Sequence, residues 1–321
     1  MTTWLVTGGA GYIGSHVASA FLASGIEVVV LDDLSSGRRE FVPEGAILEE
    51  GTLVDPAFVD RVFAAHSFSG VVHLAGYKYA GVSVERPLHT YEQNVTATGV
   101  LLAAMQKHDV PAIVFSSSAA VYGTPSVELV DESTATNPES PYGESKLIGE
   151  WLIADQARVT SLRHTALRYF NVVGSAPGGA PDTSPYNLFP LVFRALAANA
   201  VPKIFGDSYP TPDGTCVRDY VHVVDVATAH VAAARALEGS SLDPVYNLGS
   251  GTGLSVRQIM DEMAIATGVA FTPEVVAARP GDPARIVASG EAAARDIGWA
   301  PSHSLADMIA SAWEAAGSLD R

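Results

Sequence analysis

The stretch VTGGAGYIGSH, residues 6–16, decides how this chain is read. Its glycines Gly8, Gly11 and Gly14 follow the spacing G-x-x-G-x-x-G, behind an apolar run (residues 4–8) and ahead of a helix-like stretch (13–24). Glycine suits each position for a physical reason: a tight turn, close backbone approach to a pyrophosphate, and close packing of helix on strand. The glycines alone are also compatible with an ordinary turn. Asp32, at the end of the second apolar run, adds a carboxylate where a dinucleotide's ribose 2′-OH would sit and where a 2′-phosphate would be repelled. A solvated loop acid is the competing reading. The combination points to NAD rather than NADP.

Outward from this motif the first half alternates between two textures. WLVTG (4–8), EVVVLDD (27–33), GVVHLAG (70–76), AIVFSSS (112–118) and TALRYFNV (165–172) are short, apolar and often β-branched. They lack polar alternation, as strands buried on both faces do. Helix-like stretches at 13–24, 56–66, 90–108 and 142–157 separate them. This rhythm predicts an α/β fold: a Rossmann-type, doubly wound parallel sheet. Beyond about residue 173 the rhythm breaks at SAPGGAPDTSP. Helices at 190–199, 224–237, 255–267 and 305–316 and strands at 245–248 and 271–279 then predict a smaller mixed α/β lobe.

The composition narrows the partners. The formal charge of −16 over 321 residues disfavours nucleic acid and anionic membranes. An anionic ligand therefore needs a local cationic pocket. A single cysteine, Cys216, permits no intrachain disulfide, and no apolar run reaches the ~18–20 residues of a membrane span. The start, MTTWLVTGGAG, lacks a basic region and cleavage pattern, so a cytoplasmic protein is expected. No metal site is expected.

Tyr142 and Lys146, in PYGESK, stand at i, i+4 on one helical face, with Pro141 suited to the helix start. A free tyrosine titrates near ~10, and bringing it to pH 7 takes ~4 kcal/mol of differential stabilisation. A neighbouring ammonium and an oxidised, positively charged cofactor both favour the phenolate. A surface pair is the plain alternative. The dinucleotide motif and the serine-ended strand FSSS turn the balance toward chemistry. Of the three serines, Ser118 ends that strand, while Ser116 and Ser117 read as strand-end supports.

With these motifs the chain resembles the extended short-chain dehydrogenase/reductase family, and within it the branch that epimerises UDP-sugars at C4. HLAGYK (73–78), PLHTYEQNV (87–95), ALRYFNVVG (166–174), YPTPDGTCVRDYVHVVD (209–225) and RPGDPAR (279–285) extend the match over almost the whole chain. The resemblance implies NAD contacts from Gly8, Gly11, Tyr12, Ile13, Gly14, Asp32, Leu74, Ala75, Gly76, Lys78, Asn94, Ser116, Tyr142, Lys146 and Tyr169. It implies Ser118, Tyr142 and Lys146 as the catalytic set. It implies substrate contacts from Ser118, Tyr142, Asn171, Asn187, Leu188, Phe205, Arg218, Tyr220, Arg279 and Asp282. The two arginines also make sense alone, because a diphosphate on an acidic protein needs guanidinium partners. Tyr220 and Phe205 equally suit a core. The implied organisation is a NAD-binding part over 1–175, to which 216–250 partly returns, and a UDP-sugar lobe over 176–321. The implied quaternary state is a homodimer through the helices at 90–108 and 142–157.

The implied reaction interconverts UDP-glucose and UDP-galactose by transient oxidation at sugar C4. Ala119 and Ala120 stand where a 4,6-dehydratase or a decarboxylase carries proton-transferring groups, which argues against both. Asp32 disfavours an NADPH-consuming 4-keto reductase. Epimerases of UDP-N-acetylhexosamines or UDP-pentoses remain as alternatives, as does a non-catalytic dinucleotide sensor. Two positions depart from the family: Thr52 replaces an acid at the adenine contact, and Ile286 occupies a region where bulk bears on sugar scope.

Overall fold

A computed structural model describes residues 2–279 and 282–317. Pro280 and Gly281, inside the RPGDPAR match, lie outside the described residues.

The chain begins as a parallel α/β alternation. Strand β1 (Thr3–Thr7) leads into helix α1 (Tyr12–Ala23), then β2 (Glu27–Asp32), β3 (Ile47–Glu50), α2 (Pro56–Ala65) and β4 (Gly70–His73). Two short helices, α3 (Ala80–Glu85) and α4 (Pro87–Tyr91), precede a π-helical turn at Glu92–Thr96 and α5 (Ala97–Lys107). After β5 (Ala112–Ser118), a 3-10 turn at Ala119–Tyr122 leads toward α6 (Pro141–Val159) and β6 (Arg163–Tyr169). The remainder comprises β7 (Asn171–Val173), α7 (Leu188–Ala197), β8 (Lys203–Phe205), β9 (Val217–His222), α8 (Val223–Gly239) and β10 (Val245–Leu248). It closes with β11 (Gly253–Ser255), α9 (Val256–Thr267), β12 (Glu274–Val276), β13 (Arg285–Ile286), α10 (Glu291–Ile297) and α11 (Leu305–Ala316).

The main sheet has seven strands in the order β10-β6-β5-β4-β1-β2-β3, all paired in parallel. Alternate residues of β1 enter opposite cores. Trp4 and Val6 pack with Val17 and Phe21 of α1 and Val226 and Leu237 of α8. Leu5 packs with Val59 and Phe63 of α2 and Leu101 and Met105 of α5. Apolar residues on both strand faces are what a sheet covered on both sides requires. The expected doubly wound sheet is therefore present.

The run 165–172, read as one strand, is two. Phe170 separates β6, which joins the main sheet beside β5, from β7, which pairs with β9 in a second sheet. That sheet runs β11-β9-β13, with β7 also on β9. Strand β10 returns to the main sheet as its edge beside β6. Only Glu274–Val276 of the expected 271–279 strand is extended in pairing, against β8. The expected helix at 90–108 starts earlier, at Pro87, and carries the π turn. Phe189, Phe193, Met260, Met263 and Ile309 form a separate core beneath the second sheet. Among the described residues no helix is long and apolar enough to cross a membrane.

Candidate active site

A cavity of about 1020 Å³ follows the carboxyl ends of the main-sheet strands. Gly8 follows β1, Asp32 ends β2, Thr52 follows β3, Leu74, Ala75 and Gly76 follow β4, Ser118 ends β5 and Tyr169 ends β6, and all line it. Sheets of this kind bind ligands at this edge, where the strand order reverses between β1 and β4. The cavity continues onto the second sheet, where Asn171, Arg218 and Tyr220 line it.

The glycine turn is shaped by close approach. A Cβ on Gly14 would stand 2.1 Å from the Gly8 carbonyl oxygen, so only glycine lets α1 start against the turn. Gly11 precedes the helix without a side chain, leaving the first-turn N–H groups facing the cavity end. Asp32 is buried; its carboxylate accepts hydrogen bonds from the Ala10 N–H (3.0 Å) and the Leu34 N–H (2.9 Å). Burial raises its pKa, and those two N–H groups oppose the rise. These features fit a dinucleotide: a pyrophosphate on the helix start and a ribose beside a carboxylate with lone pairs to spare. Tyr12 and Ile13 line the same end, and the Tyr12 hydroxyl donates to the Gly174 carbonyl at 2.6 Å.

The Tyr142–Lys146 helix starts against the 3-10 turn that follows β5 because its first turn is small. A Cβ on Gly143 would stand 2.5 Å from the Ala120 carbonyl oxygen. Ser140 caps the helix by accepting from the Gly143 N–H, and the Tyr142 N–H donates to Ser83 Oγ at 3.1 Å. Both orphan donors of the first turn are thereby satisfied. Tyr142 and Ser118 consequently meet at the cavity wall. Burial raises the Tyr142 phenol's pKa, and a hydrogen bond from Ser118 pulls it back down.

Lys146 departs from the simplest expectation. Its Nζ donates to the Ser116 carbonyl at 2.8 Å, and sits 6.0 Å from the centre of the Tyr142 ring and 5.0 Å from that of Phe115. Burial pushes its pKa down to about 8, partly offset by Glu150. The ammonium is thus held beside the Tyr142 ring by the β5 backbone, and the side chain that lowers the phenol's pKa is Ser118.

The second half of the cavity carries two arginines. Arg218 Nη2 bonds Asp282 at 3.0 Å, joining residues 64 positions apart. The Arg279 guanidinium lies 3.9 Å over the Phe205 ring. Asn171 Nδ2 donates to the Asp219 carbonyl, and Asn187 Nδ2 to Asp182. Tyr220 both lines the cavity and packs in the second core.

Two expected cofactor contacts stand behind the wall. Asn94, on the π turn, accepts from the Tyr77 N–H and donates to the Tyr77 carbonyl and Ser145 Oγ, which ties the 76–78 loop to α6. Ser116 faces the Tyr169 hydroxyl. Its neighbour Ser117 donates to Glu150, which forms a buried ion pair with Arg168. Ile286 also lies off the wall, packed with Val121, Tyr122, Val130 and Leu147. Lys78 and Thr52 line the cavity as expected. Tyr77, Tyr79, His89, Tyr186 and Cys216 line it without having been anticipated. The aromatics flanking Lys78 in GYKYAG were the signal available for two of them. No group of three or more potential metal ligands occurs among the described residues.

Fold and cavity together define a dinucleotide-binding α/β protein with a serine–tyrosine–lysine wall and a cationic second half. A profile of the NAD dependent epimerase/dehydratase family matches residues 4–249, and the chain belongs to that family. A UDP-glucose 4-epimerase of Corynebacterium glutamicum is 42% identical, over 96% of this chain and 94% of its own. The solved structure of a UDP-glucose 4-epimerase from Stenotrophomonas maltophila, with bound NAD and formylated UDP-arabinopyranose, superposes with a TM-score of 0.95 at 36% identity, covering 100% of this chain and 99% of its own. One from Bifidobacterium longum, in complex with NAD+ and UDP, gives a TM-score of 0.91 at 36% identity, covering 99% and 98%.

Proposed function

We propose that the protein is an NAD-dependent UDP-sugar 4-epimerase that interconverts UDP-glucose and UDP-galactose. The observation that carries this is one cavity with Ser118, Tyr142 and Lys146 on one wall and Arg218 and Arg279 on its far part. The glycine turn and Asp32 hold the dinucleotide over the region 1–175, and the region 176–321 holds the substrate. Bound NAD+ supplies the acceptor for the hydrogen and electron pair at sugar C4, together with a positive ring that favours the Tyr142 phenolate.

The chain's residues do the rest. Tyr142 takes the proton of the 4-hydroxyl and later returns it. Ser118, which lines the same wall and favours the phenolate, hydrogen-bonds the same oxygen. Lys146, anchored on the Ser116 carbonyl, sets a positive charge beside the ring. Arg218, Arg279 and the Phe205 face hold the uridine diphosphate, so binding energy is taken from the part that does not react. The sugar is left free to turn and present its other face. Ala119 and Ala120 carry no proton donor or acceptor, which restricts chemistry to C4.

The protein acts as a homodimer in this reading. Trp151 on α6 is 57% exposed, and Val95, Val100, Ile148 and Leu152 of the same two helical stretches are half-buried. Leu101, Met105 and Ile153 already belong to the core, so they contribute nothing to such an interface. A monomer by light scattering at working concentration refutes the dimer.

The activity is tested by mixing purified protein with UDP-galactose and assaying UDP-glucose by a coupled reaction, first without and then with added NAD. Parallel arms use UDP-N-acetylhexosamines and UDP-pentoses. The expected product is UDP-glucose. Absence of product in every arm, with NAD present, overturns the proposal.

A further inference from the structure

Four rings form a strip along the cavity, and the mechanism above does not use them. His89 meets Tyr77 edge-on at 5.0 Å, Tyr77 meets Tyr79 at 5.5 Å, and Tyr79 meets Tyr186 at 5.1 Å with planes 69° apart. All four line the cavity. The last contact bridges two separate parts of the chain. Tyr79 stands at the start of α3, where its backbone carbonyl accepts the Ser83 N–H, and Ser83 Oγ in turn accepts the Tyr142 N–H. Tyr79 is therefore fixed relative to the reacting phenol. Tyr186 comes from the opposite side, immediately before Asn187 and α7.

The Tyr186 loop is built rather than slack. Asp182 accepts from the Ser184 N–H and from Asn187 Nδ2, Ser184 Oγ accepts from the Tyr186 N–H, and Arg194 donates to the Ser184 carbonyl. Tyr186 is 52% exposed, so one side of its ring faces solvent while the other closes on Tyr79.

We infer that the Tyr79–Tyr186 contact is the retaining wall that keeps the oxidised sugar in the cavity while it turns over, an inference that rests on the epimerase reading. The sugar must be held without bonds that prefer one configuration at C4. Ring faces and edges meet that need: they exclude water and restrict escape, yet they do not fix a hydroxyl to one position. The balance of the step shows what the wall prevents. When the C4 hydrogen passes with its bonding pair to the cofactor and the hydroxyl proton to Tyr142, the sugar becomes a 4-ketose. If that ketose leaves, both electrons stay on the cofactor, which remains in its reduced form, and the proton stays with the protein.

The test is made on the holoenzyme with Tyr79→Leu, Tyr186→Leu and the double variant, with Tyr186→Phe as the ring-preserving control. Two quantities are read beside turnover: the fraction of enzyme carrying reduced cofactor, by its absorbance at 340 nm, per thousand turnovers, and the dissociation rate of UDP. Losing one aromatic pair should raise accumulation of reduced cofactor roughly 3- to 10-fold. The double variant should add little to either single one, because each removes the same contact. Tyr186→Phe should stay at the wild-type level, and UDP release should change less than about twofold, since Arg218, Arg279 and Phe205 stand on other elements and Tyr186's backbone bonds are kept. Unchanged accumulation in variants of an active enzyme overturns the inference and leaves the epimerase reading intact. A rise matched by equally faster UDP release also overturns it, because the whole site has then loosened. A wild-type protein without epimerase activity overturns the reading itself, and the inference with it.

Discussion

Replacing Lys146 by methionine should abolish most activity and, in the cofactor-free protein, raise stability. Its ammonium is buried, and burial moves its pKa from 10.5 to about 8. A displacement of that size corresponds to ~3.4 kcal/mol of strain on the charged form in the folded state. Methionine fills a similar volume and carries no charge, but forfeits the bond to the Ser116 carbonyl. A charged hydrogen bond contributes ~1.5–3 kcal/mol, so the net gain at pH 7 is roughly 0.5–2 kcal/mol. For a chain of this size that is about 1–3 °C in Tm. The pH dependence is the sharper signature. Because the folded pKa lies below the unfolded one, the unfolded chain binds the extra proton between about pH 8 and 10.5, and wild-type stability gains across that window. The advantage of Lys146→Met should therefore be full below pH 8 and shrink toward pH 10.5. Paired urea titrations of both proteins at pH 7, 8.5 and 10 measure it. A variant less stable at pH 7, or a gap that does not close with pH, refutes the picture of a strained buried ammonium.

Tyr142→Phe should keep the fold and its cofactor but lose roughly 10²–10⁴ in kcat, as expected for removal of a proton-transfer group; activity near wild type defeats the assignment. Ser118→Ala should cost less, and the double change should cost less than the product of the two, which initial rates of all four proteins decide. Gly14→Ala puts a Cβ against the Gly8 carbonyl and should destabilise by about 1–3 kcal/mol and strip the purified protein of dinucleotide. Melting temperature and bound-cofactor content check both parts. Arg218→Ala removes a guanidinium from the diphosphate end and should raise KM roughly 10- to 100-fold with a smaller change in kcat, read from steady-state kinetics.

The sequence was most readable where one physical demand dominated. AIVFSSS, apolar on both faces and ended by serines, is β5 residue for residue. The glycine turn and Asp32 were legible because a backbone approaching a pyrophosphate tolerates little else. The break at Phe170 was hidden: TALRYFNV is evenly apolar, and which sheet each half joins depends on partners far along the chain. Strand β9 lay inside a functional block, so its extended form was masked by the roles given to Arg218 and Tyr220. Asn94 and Ser116 show the same limit from another side. Their residue types suit ligand contact, but the π turn aims one at the Tyr77 backbone and strand alternation aims the other at Tyr169. The Tyr79–Tyr186 contact joins two stretches that no local pattern relates.

The single-residue passage at Phe170 also works as a ruler. Tyr169 is in register with Ser118, and Asn171 is in register with Tyr220. One residue therefore sets the span from the strand end bearing Ser118 to the strand bearing Arg218. An insertion there would displace the following strand by one position and turn its side chains to the opposite face. The backbone thus couples the two halves of the cavity: a change of length at Phe170 shifts Asn171 and its pairing with Tyr220 relative to Ser118.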